Sequence, residues 1–216
     1  AIYSIEQGKT FYTANRGLSE LRKEICRYQK RKFNLDYEYD KNCIVTVGGS
    51  EAIDLAFRAI INPGDEVILL QPSYVAYTPG VVLSGGKTVD IILKEENEFQ
   101  IDLKELKSLI TDKTKMIVIC SPNNPIGGVL TKENLEGVAE LLEGKDILIV
   151  SDEVYERYVY DGMKAVSPAT IPSIREKTII INAFSKMFSM TGWRLGYIIT
   201  PEKYWETFFI HAGFQV

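Results

Sequence analysis

The sequence predicts an α/β protein of three layers, in which helices cover both faces of a mostly parallel, seven-stranded sheet. Two observations predict this class. Seven short segments are apolar along almost their whole length, as strands buried on both faces of a sheet are. Segments of helical character alternate with them along the chain, which is typical of βαβ units. The 216 residues, of which 45% are hydrophobic, suit one large domain (residues 1–216) with a sizeable core.

The helices are predicted from apolar spacing and from the residues that begin them. Leu21, Ile25 and Tyr28 recur three or four residues apart, which indicates an amphipathic helix with a basic outer face. Asp102 and Thr131 are residues that favour helix N-termini, so each is expected to begin one. Helices are expected at residues 17–33, 51–60, 74–84, 101–110, 131–143 and 201–210.

The strands are predicted from continuous apolar runs bounded by turn residues. NPGDE at 62–66 is a turn before the second strand, and SPNNPIGG at 121–128 is a rigid loop after the fourth. Strands are expected at residues 43–47, 66–70, 87–93, 115–120, 146–151, 177–182 and 194–199.

Composition and charge argue against several classes of function. The net charge of −4 disfavours nucleic acid as a partner, since phosphate backbones require a basic face. No apolar run could span a bilayer, and residues 1–14 do not resemble a signal peptide, so we expect no membrane partner and a cytoplasmic location. Cys26, Cys43 and Cys120 are too scattered for a zinc site or a disulfide framework. A Ser-His-Asp site would depend on the single histidine, His211, and is not favoured.

Unusual polar residues follow the ends of the predicted strands. In open α/β sheets ligands bind beyond the carboxyl ends of the strands, so these residues are expected to meet at one edge of the sheet. They are Gly48, Gly49 and Ser50 after the first strand, Tyr74 after the second, Asn123 and Asn124 after the fourth, Asp152 and Tyr155 after the fifth, and Ser185 and Lys186 after the sixth.

The glycine-rich turn after the first strand is suited to bind phosphate. A strand, a turn and a helix start present free backbone N–H groups, and the helix dipole favours an anion there. Glycine turns before helices are also common for structural reasons, so this signal alone leaves the ligand open. A nucleotide is less favoured, because G-x-G-x-x-G is absent and GGKT at 85–88 has Val81 where a P-loop has its first glycine.

The remaining groups combine a lysine, an acid, aromatic rings and an arginine. Lys186 lies in an apolar stretch without a neighbouring acid, and Arg194 follows it by eight residues. Asp152 follows a buried strand, where an ionised carboxylate needs a cation, although an N-cap or turn aspartate would give the same pattern. Pyridoxal 5'-phosphate uses all of these groups: a lysine amine for its aldehyde, a carboxylate for its ring nitrogen, and an arginine for its phosphate.

Four motifs carry a resemblance to a known family: VTVGGSEAIDLAFRAIINPGDEVILLQPSY, SPNNPIGG, SDEVYERYVYDG and FSKMFSMTGWRLGY. In order and spacing they resemble the class I/II aminotransferases, which are fold-type I pyridoxal phosphate enzymes, and the resemblance covers essentially the whole chain. It implies the large domain of that fold. It also implies the exchange of an amino group between an amino acid and a 2-oxo acid, and a homodimer.

The resemblance also implies a role for each matching residue. Lys186 matches the lysine that forms the Schiff base and moves a proton, and Asp152 matches the partner of the ring nitrogen. Asn124 and Tyr155 match the pair that binds the phenolic oxygen of the ring, and Tyr74 matches the residue that stacks on it. The phosphate site is matched by Gly49, Ser50 and Glu51 through their backbone, by Arg194, and by Tyr12 reaching from the partner subunit.

The chain departs from the family pattern at three points. Ala183 stands where serine or glycine is usual, so Ser185 or another group is expected to replace a serine contact to phosphate. Ile126 stands where threonine is usual, which we expect to be tolerated. Family members are about twice as long, so we expect that the small domain and an N-terminal segment are missing and that this chain has little activity of its own.

Three alternatives stay open at this point. A β-elimination C–S lyase shares the fold, but such enzymes tend to have histidine where Tyr155 stands. A non-catalytic regulatory domain of aminotransferase type would be accompanied by a DNA-binding region, and nothing basic of that kind is present in this sequence. A phosphate- or nucleotide-binding module without Schiff-base chemistry ranks last.

Overall fold

A computed structural model describes residues 1–213 of the chain. Within them, seven strands form one sheet. They are β1 (Cys43–Val47), β2 (Glu66–Gln71), β3 (Lys87–Ile92), β4 (Thr114–Cys120), β5 (Leu148–Asp152), β6 (Thr178–Ala183) and β7 (Leu195–Ile199).

Ten α-helical segments lie between and around the strands in the same part of the chain. They are α1 (Ile2–Glu6), α2 (Ser19–Phe33), α3 (Tyr39–Asn42), α4 (Gly48–Ile60), α5 (Tyr77–Leu83), α6 (Leu103–Leu109), α7 (Lys132–Leu141), α8 (Pro172–Arg175), α9 (Phe184–Met187) and α10 (Trp205–Gly213). In residues 1–213 no helix combines the length and the hydropathy that crossing a membrane requires.

The strand order across the sheet is β1-β7-β6-β5-β4-β2-β3. All neighbouring pairs are parallel except β1–β7 and β6–β7, so β7 alone runs in the opposite direction. The carboxyl ends of six strands therefore share one edge of the sheet with the amino end of β7. The central strand of the seven is β5, which ends at Asp152.

Side chains alternate between the two faces of the sheet and bury two cores. On β2, Val67 and Leu69 pack in the core that α4, α5 and α10 cover, whereas Ile68 and Leu70 pack in the core that α6 and α7 cover. A third cluster joins α2 to β1, β6 and β7. Because both faces are covered, the interior strands are largely apolar, whereas the edge strand β3 carries Lys87 and Asp90, and the three-layer prediction is confirmed.

The predicted elements are present, with a few shifted ends. Each predicted strand is found, and Asp102 and Thr131 accept hydrogen bonds at the starts of α6 and α7 as expected. The helix expected at 51–60 begins earlier, at Gly48, because the glycine turn after β1 leads directly into the helix. The helix expected at 74–84 begins only at Tyr77, since residues 74–76 form a turn.

A close backbone contact fixes the start of α4 against β7. A Cβ atom added to Gly196 would lie 2.5 Å from the carbonyl carbon of Gly48 and 2.7 Å from the nitrogen of Gly49. Real Cβ atoms do not approach backbone that closely, so only glycine at 196 allows this packing. The contact holds the free N–H groups of the α4 terminus at the edge where the strands end.

We expect Gly196→Ala to lower the free energy of unfolding by about 1–3 kcal/mol, because the clash is with backbone that cannot rotate away. Urea denaturation monitored by circular dichroism measures this change. The matched control is Gly192→Ala, since a Cβ at Gly192 meets no atom within 4 Å. Equal stability of the two variants would show that β7 and α4 can separate without penalty.

Candidate functional site

An open cavity of about 310 Å³ lies at the edge of the sheet where the strands end. It borders on segments that follow β1, β2, β4, β5 and β6 and on the segment that precedes β7. Its walls are formed by Gly49, Ser50, Ile53, Tyr74, Tyr77, Cys120, Asn124, Asp152, Val154, Tyr155, Ala183, Ser185, Lys186, Thr191 and Arg194. Nine of the sequence-predicted residues are thus brought together by the topology of the sheet.

One wall combines the α4 N-terminus with the Arg194 guanidinium. Gly48 has a left-handed φ of +76°, and a Cβ there would lie 2.5 Å from Nη2 of Arg194, so the glycine leaves the space that the guanidinium fills. Arg194 donates to the carbonyl of Thr191 at 3.1 Å and forms no ion pair within residues 1–213. Its charge and the orphan N–H groups of the helix start therefore face the cavity together, which suits a phosphate group.

Another part of the wall contains a buried acid. Asp152 is only 5% exposed, and burial raises the pKa of its carboxyl group above the ordinary value, against hydrogen bonds that lower it. Those bonds come from the Tyr77 hydroxyl to Oδ2, at 2.6 Å, and from the Val154 N–H to Oδ1, at 3.2 Å. A cation placed in the cavity beside Asp152 would offset the desolvation of its ionised form.

Tyr77 is a site residue that sequence reasoning missed. It is 2% exposed, and burial raises the pKa of its phenol well above the ordinary value. Its ring packs edge-on against Tyr74, with 5.6 Å between centroids and an interplanar angle of 82°. The sequence carried little signal for this role, because Tyr77 reads as a core position of the predicted helix and residues 74–76 lie outside α5.

Lys186 projects from α9, the single helical turn that follows β6. Its side chain is half-buried, its Nζ lies 5.8 Å from the centroid of the Tyr155 ring, and no carboxylate within residues 1–213 pairs with it. The Tyr158 hydroxyl donates to the Lys186 carbonyl at 2.8 Å, which ties the lysine turn to the segment after β5. Ser185, on the same turn, also reaches the cavity.

Asn124 and Tyr155 meet on the side of β4 and β5. The Asn124 amide donates to the Tyr155 hydroxyl at 3.4 Å. Burial raises the pKa of the Tyr155 phenol, so it stays a neutral donor near pH 7. An amide and a phenol side by side can both donate to one oxygen of a ligand.

Two residues matched to the cofactor site, Glu51 and Tyr12, lie outside the cavity walls, as do Gly48 and Asn123. The Glu51 carboxylate accepts a hydrogen bond from the Val47 N–H, so its side chain caps the start of α4 and does not enter the cavity. Tyr12 is 98% exposed and precedes α2. Within one copy of residues 1–213 it does not contribute to the cavity.

Glu153 and Glu156 anchor the turn after β5 on the side away from the cavity. Glu153 is buried, accepts from Ser151 and Ser167 through Oε1 at 3.0 and 2.5 Å, and leaves Oε2 without a partner within residues 1–213. Glu156 accepts from the Tyr28 hydroxyl of α2. Along the chain, Asp152 precedes Glu153 and Tyr155 precedes Glu156. Because the two glutamates are held on the side away from the cavity, the side chains of Asp152 and Tyr155 point into it.

Comparison with known proteins agrees with this architecture. The family model described as aminotransferase class I and II matches residues 3–209. The chain is 42% identical over 199 residues to the aspartate aminotransferase of Pyrococcus abyssi and 45% identical over 203 residues to that of Bacillus subtilis. These matches cover 92% and 94% of this chain but 51% of each relative, so the chain spans about half the length of both.

A solved structure gives the same result in three dimensions. The aromatic aminotransferase of Pyrococcus horikoshii superimposes with a TM-score of 0.95 at 38% sequence identity. The superposition covers 99% of this chain and 57% of that one. The sheet order and the helices around it are therefore those of the corresponding half of that protein.

We expect Glu153→Gln to flatten the pH dependence of stability. Burial raises the pKa of Glu153 to about 8 from its ordinary value of 4.5, so the folded state holds a proton that the unfolded state releases. Stability then falls as pH rises from 4.5 to about 8, by about 1.4 kcal/mol per pH unit for this one proton. Glutamine cannot titrate, so the variant should lose that slope.

The measurement is the urea midpoint at several pH values from 5 to 8.5. Glu143→Gln, at an exposed position, is the matched control and should keep the slope of the parent chain. Some slope will remain in Glu153→Gln, because burial also raises the pKa of Glu156. An unchanged slope in the Glu153 variant would mean that this carboxyl group is ionised in the folded protein.

Proposed function

Because the chain belongs to the class I and II aminotransferase family, we propose that residues 1–216 are the pyridoxal phosphate-binding domain of an enzyme that exchanges an amino group between an amino acid and a 2-oxo acid. The observation that carries the proposal is that Lys186, Asp152 and Arg194 line one cavity. Asp152 ends β5, Lys186 follows β6 and Arg194 precedes β7, and each is the residue type that one part of the cofactor requires.

The described residues fit that cofactor. The space beside Gly48, which a Cβ would fill, holds the Arg194 guanidinium at the α4 terminus, so a phosphate has both a cation and free N–H groups. The buried Asp152 carboxyl lacks a cationic partner within residues 1–213. A protonated ring nitrogen of the cofactor would be such a partner. Tyr74, half-buried in the wall, offers a flat ring.

Each residue of the cavity wall then has a proposed role toward the cofactor or the substrate. Bound pyridoxal phosphate supplies an aldehyde that takes up amines and a cationic ring that withdraws electrons from the substrate α-carbon. Lys186 provides a Nζ amine for that aldehyde, and the same Nζ moves a proton to and from the substrate α-carbon. Asp152 holds the proton on the ring nitrogen. Asn124 and Tyr155 donate to the phenolic oxygen of the ring, and Ser185 is placed to support the phosphate.

The proposed enzyme is a homodimer in which the second subunit contributes to the cofactor site. Tyr12 lies in an N-terminal segment that also exposes Tyr3, Ile5 and Phe11, so this segment offers apolar side chains to a partner. We assign Tyr12 to the phosphate of the neighbouring subunit in a homodimer. The complete enzyme would transfer amino groups, and release of pyruvate from cystathionine without a 2-oxo acid would instead indicate the C–S lyase alternative.

We expect the chain mixed with pyridoxal phosphate to gain a yellow absorbance that borohydride bleaches, with the added mass on the peptide that contains Lys186. Lys186→Ala should lose both the absorbance and the mass tag, because Lys186 supplies the only amine among the described residues that line the cavity. Lys107→Ala, at an exposed position on α6, is the matched control and should behave like the parent chain. Full labelling of the Lys186 variant would place the reactive amine elsewhere.

We expect Arg194→Ala to weaken the binding of pyridoxal phosphate by about 2–3 kcal/mol, as for the loss of a charge-assisted hydrogen bond. The Kd of pyridoxal, which has no phosphate, should not change, because Arg194 acts on the phosphate alone. Fluorescence titration measures both constants. Arg27→Ala, in an exposed ion pair on α2, is the control. An equal loss for both ligands would show that Arg194 shapes the cavity without binding phosphate.

A further inference from the structure

We propose that Tyr77 is the positioning residue for Asp152: its hydroxyl fixes the carboxyl plane so that a free oxygen lone pair is directed into the cavity, toward the ring nitrogen of the cofactor. The inference rests on the proposed function and extends it, because no motif of the sequence assigns a role to Tyr77. It concerns how the acid is held, since a carboxyl group that can rotate contributes less to the binding of a ring in one orientation.

Both oxygens of Asp152 are held from the protein side. Oδ2 accepts from the Tyr77 hydroxyl at 2.6 Å, and Oδ1 accepts from the Val154 N–H at 3.2 Å. The terminal torsion of an aspartate is otherwise broad, so two donors in fixed positions select one orientation of the carboxyl plane. Each oxygen keeps a second lone pair, which leaves the carboxylate able to accept from a ligand in the cavity.

The Tyr77 hydroxyl is itself placed by packing. Its ring is 2% exposed in the core under α4 and meets the Tyr74 ring edge-on. On the same short helix, Gly80 lies against Phe57 of α4 so closely that a Cβ would be 2.8 Å from the Phe57 ring. The helix is thereby held near α4, and the phenol reaches Asp152 from a position that does not depend on Asp152.

Hydrogen bonding also favours the ionised carboxylate. Burial raises the pKa of Asp152, and the Tyr77 hydrogen bond is the largest effect that opposes this rise. Without the Tyr77 hydroxyl, the effect of burial would raise the pKa of Asp152 further. The acid would then keep its own proton over a wider pH range. A neutral acid attracts a protonated ring nitrogen less than a carboxylate does, so the orientation and the charge of Asp152 depend on the same hydroxyl.

The experiment compares two ligands on Tyr77→Phe, which keeps the ring and removes only the hydroxyl. One ligand is pyridoxal phosphate, and the other is its 1-deaza analogue, in which carbon replaces the ring nitrogen. For the variant we expect the Kd of pyridoxal phosphate to rise about tenfold and the Kd of the analogue to change less than about twofold. Tyr160→Phe, at a 72% exposed position, should leave both constants unchanged.

A second readout needs no cofactor. Carboxyl carbon NMR of the free protein gives the pKa of Asp152 directly, and Tyr77→Phe should raise it further. If both ligands lose affinity equally, or if neither does, Tyr77 acts through packing alone and the inference is wrong. If the parent chain binds neither ligand, the proposed function itself fails. The thermal midpoint of each variant confirms that it is folded.

Discussion

The burial of a carboxyl group at the end of the central strand is the constraint on which the rest of the site depends. Asp152 is almost inaccessible to water, and within residues 1–213 it has two hydrogen-bond donors but no cation. An ionised carboxylate in such a buried place is unfavourable unless a positive charge lies beside it. The fold therefore retains a group whose environment is satisfied only when a cationic ligand is beside it, and the cavity next to Asp152 provides the room.

The surrounding elements bring the complementary groups to the same cavity as that acid. The glycine contact between β7 and α4 brings the helix terminus and Arg194 to one end of the cavity. The turn after β5 presents Asp152 and Tyr155 inward because Glu153 and Glu156 are anchored outward. A ligand with an anionic end, a cationic ring and a reactive carbonyl matches this arrangement, and few small molecules have all three.

The sequence predicted the architecture and most of the cavity, for identifiable reasons. Parallel strands buried on both faces are apolar throughout, so their positions could be located to within two residues, and residues after their ends had to meet at one edge. The reversed direction of β7 could not be predicted from its composition. Tyr77 was missed because an apolar helix position predicts core packing, whereas the hydrogen bond to Asp152 exists only in three dimensions. Glu153 was missed because a charged residue in a turn normally predicts solvent exposure.

The reversal of β7 has a consequence for the spacing of the two groups proposed to bind the ends of the ligand. Lys186 follows β6 and Arg194 precedes β7. These two adjacent antiparallel strands are joined by one short connection that contains both residues. The number of residues between them therefore helps to set the separation of the Lys186 amine from the Arg194 guanidinium. A residue inserted between Lys186 and Arg194 would shift these two groups relative to each other, so the positions between them should tolerate substitution better than a change of length.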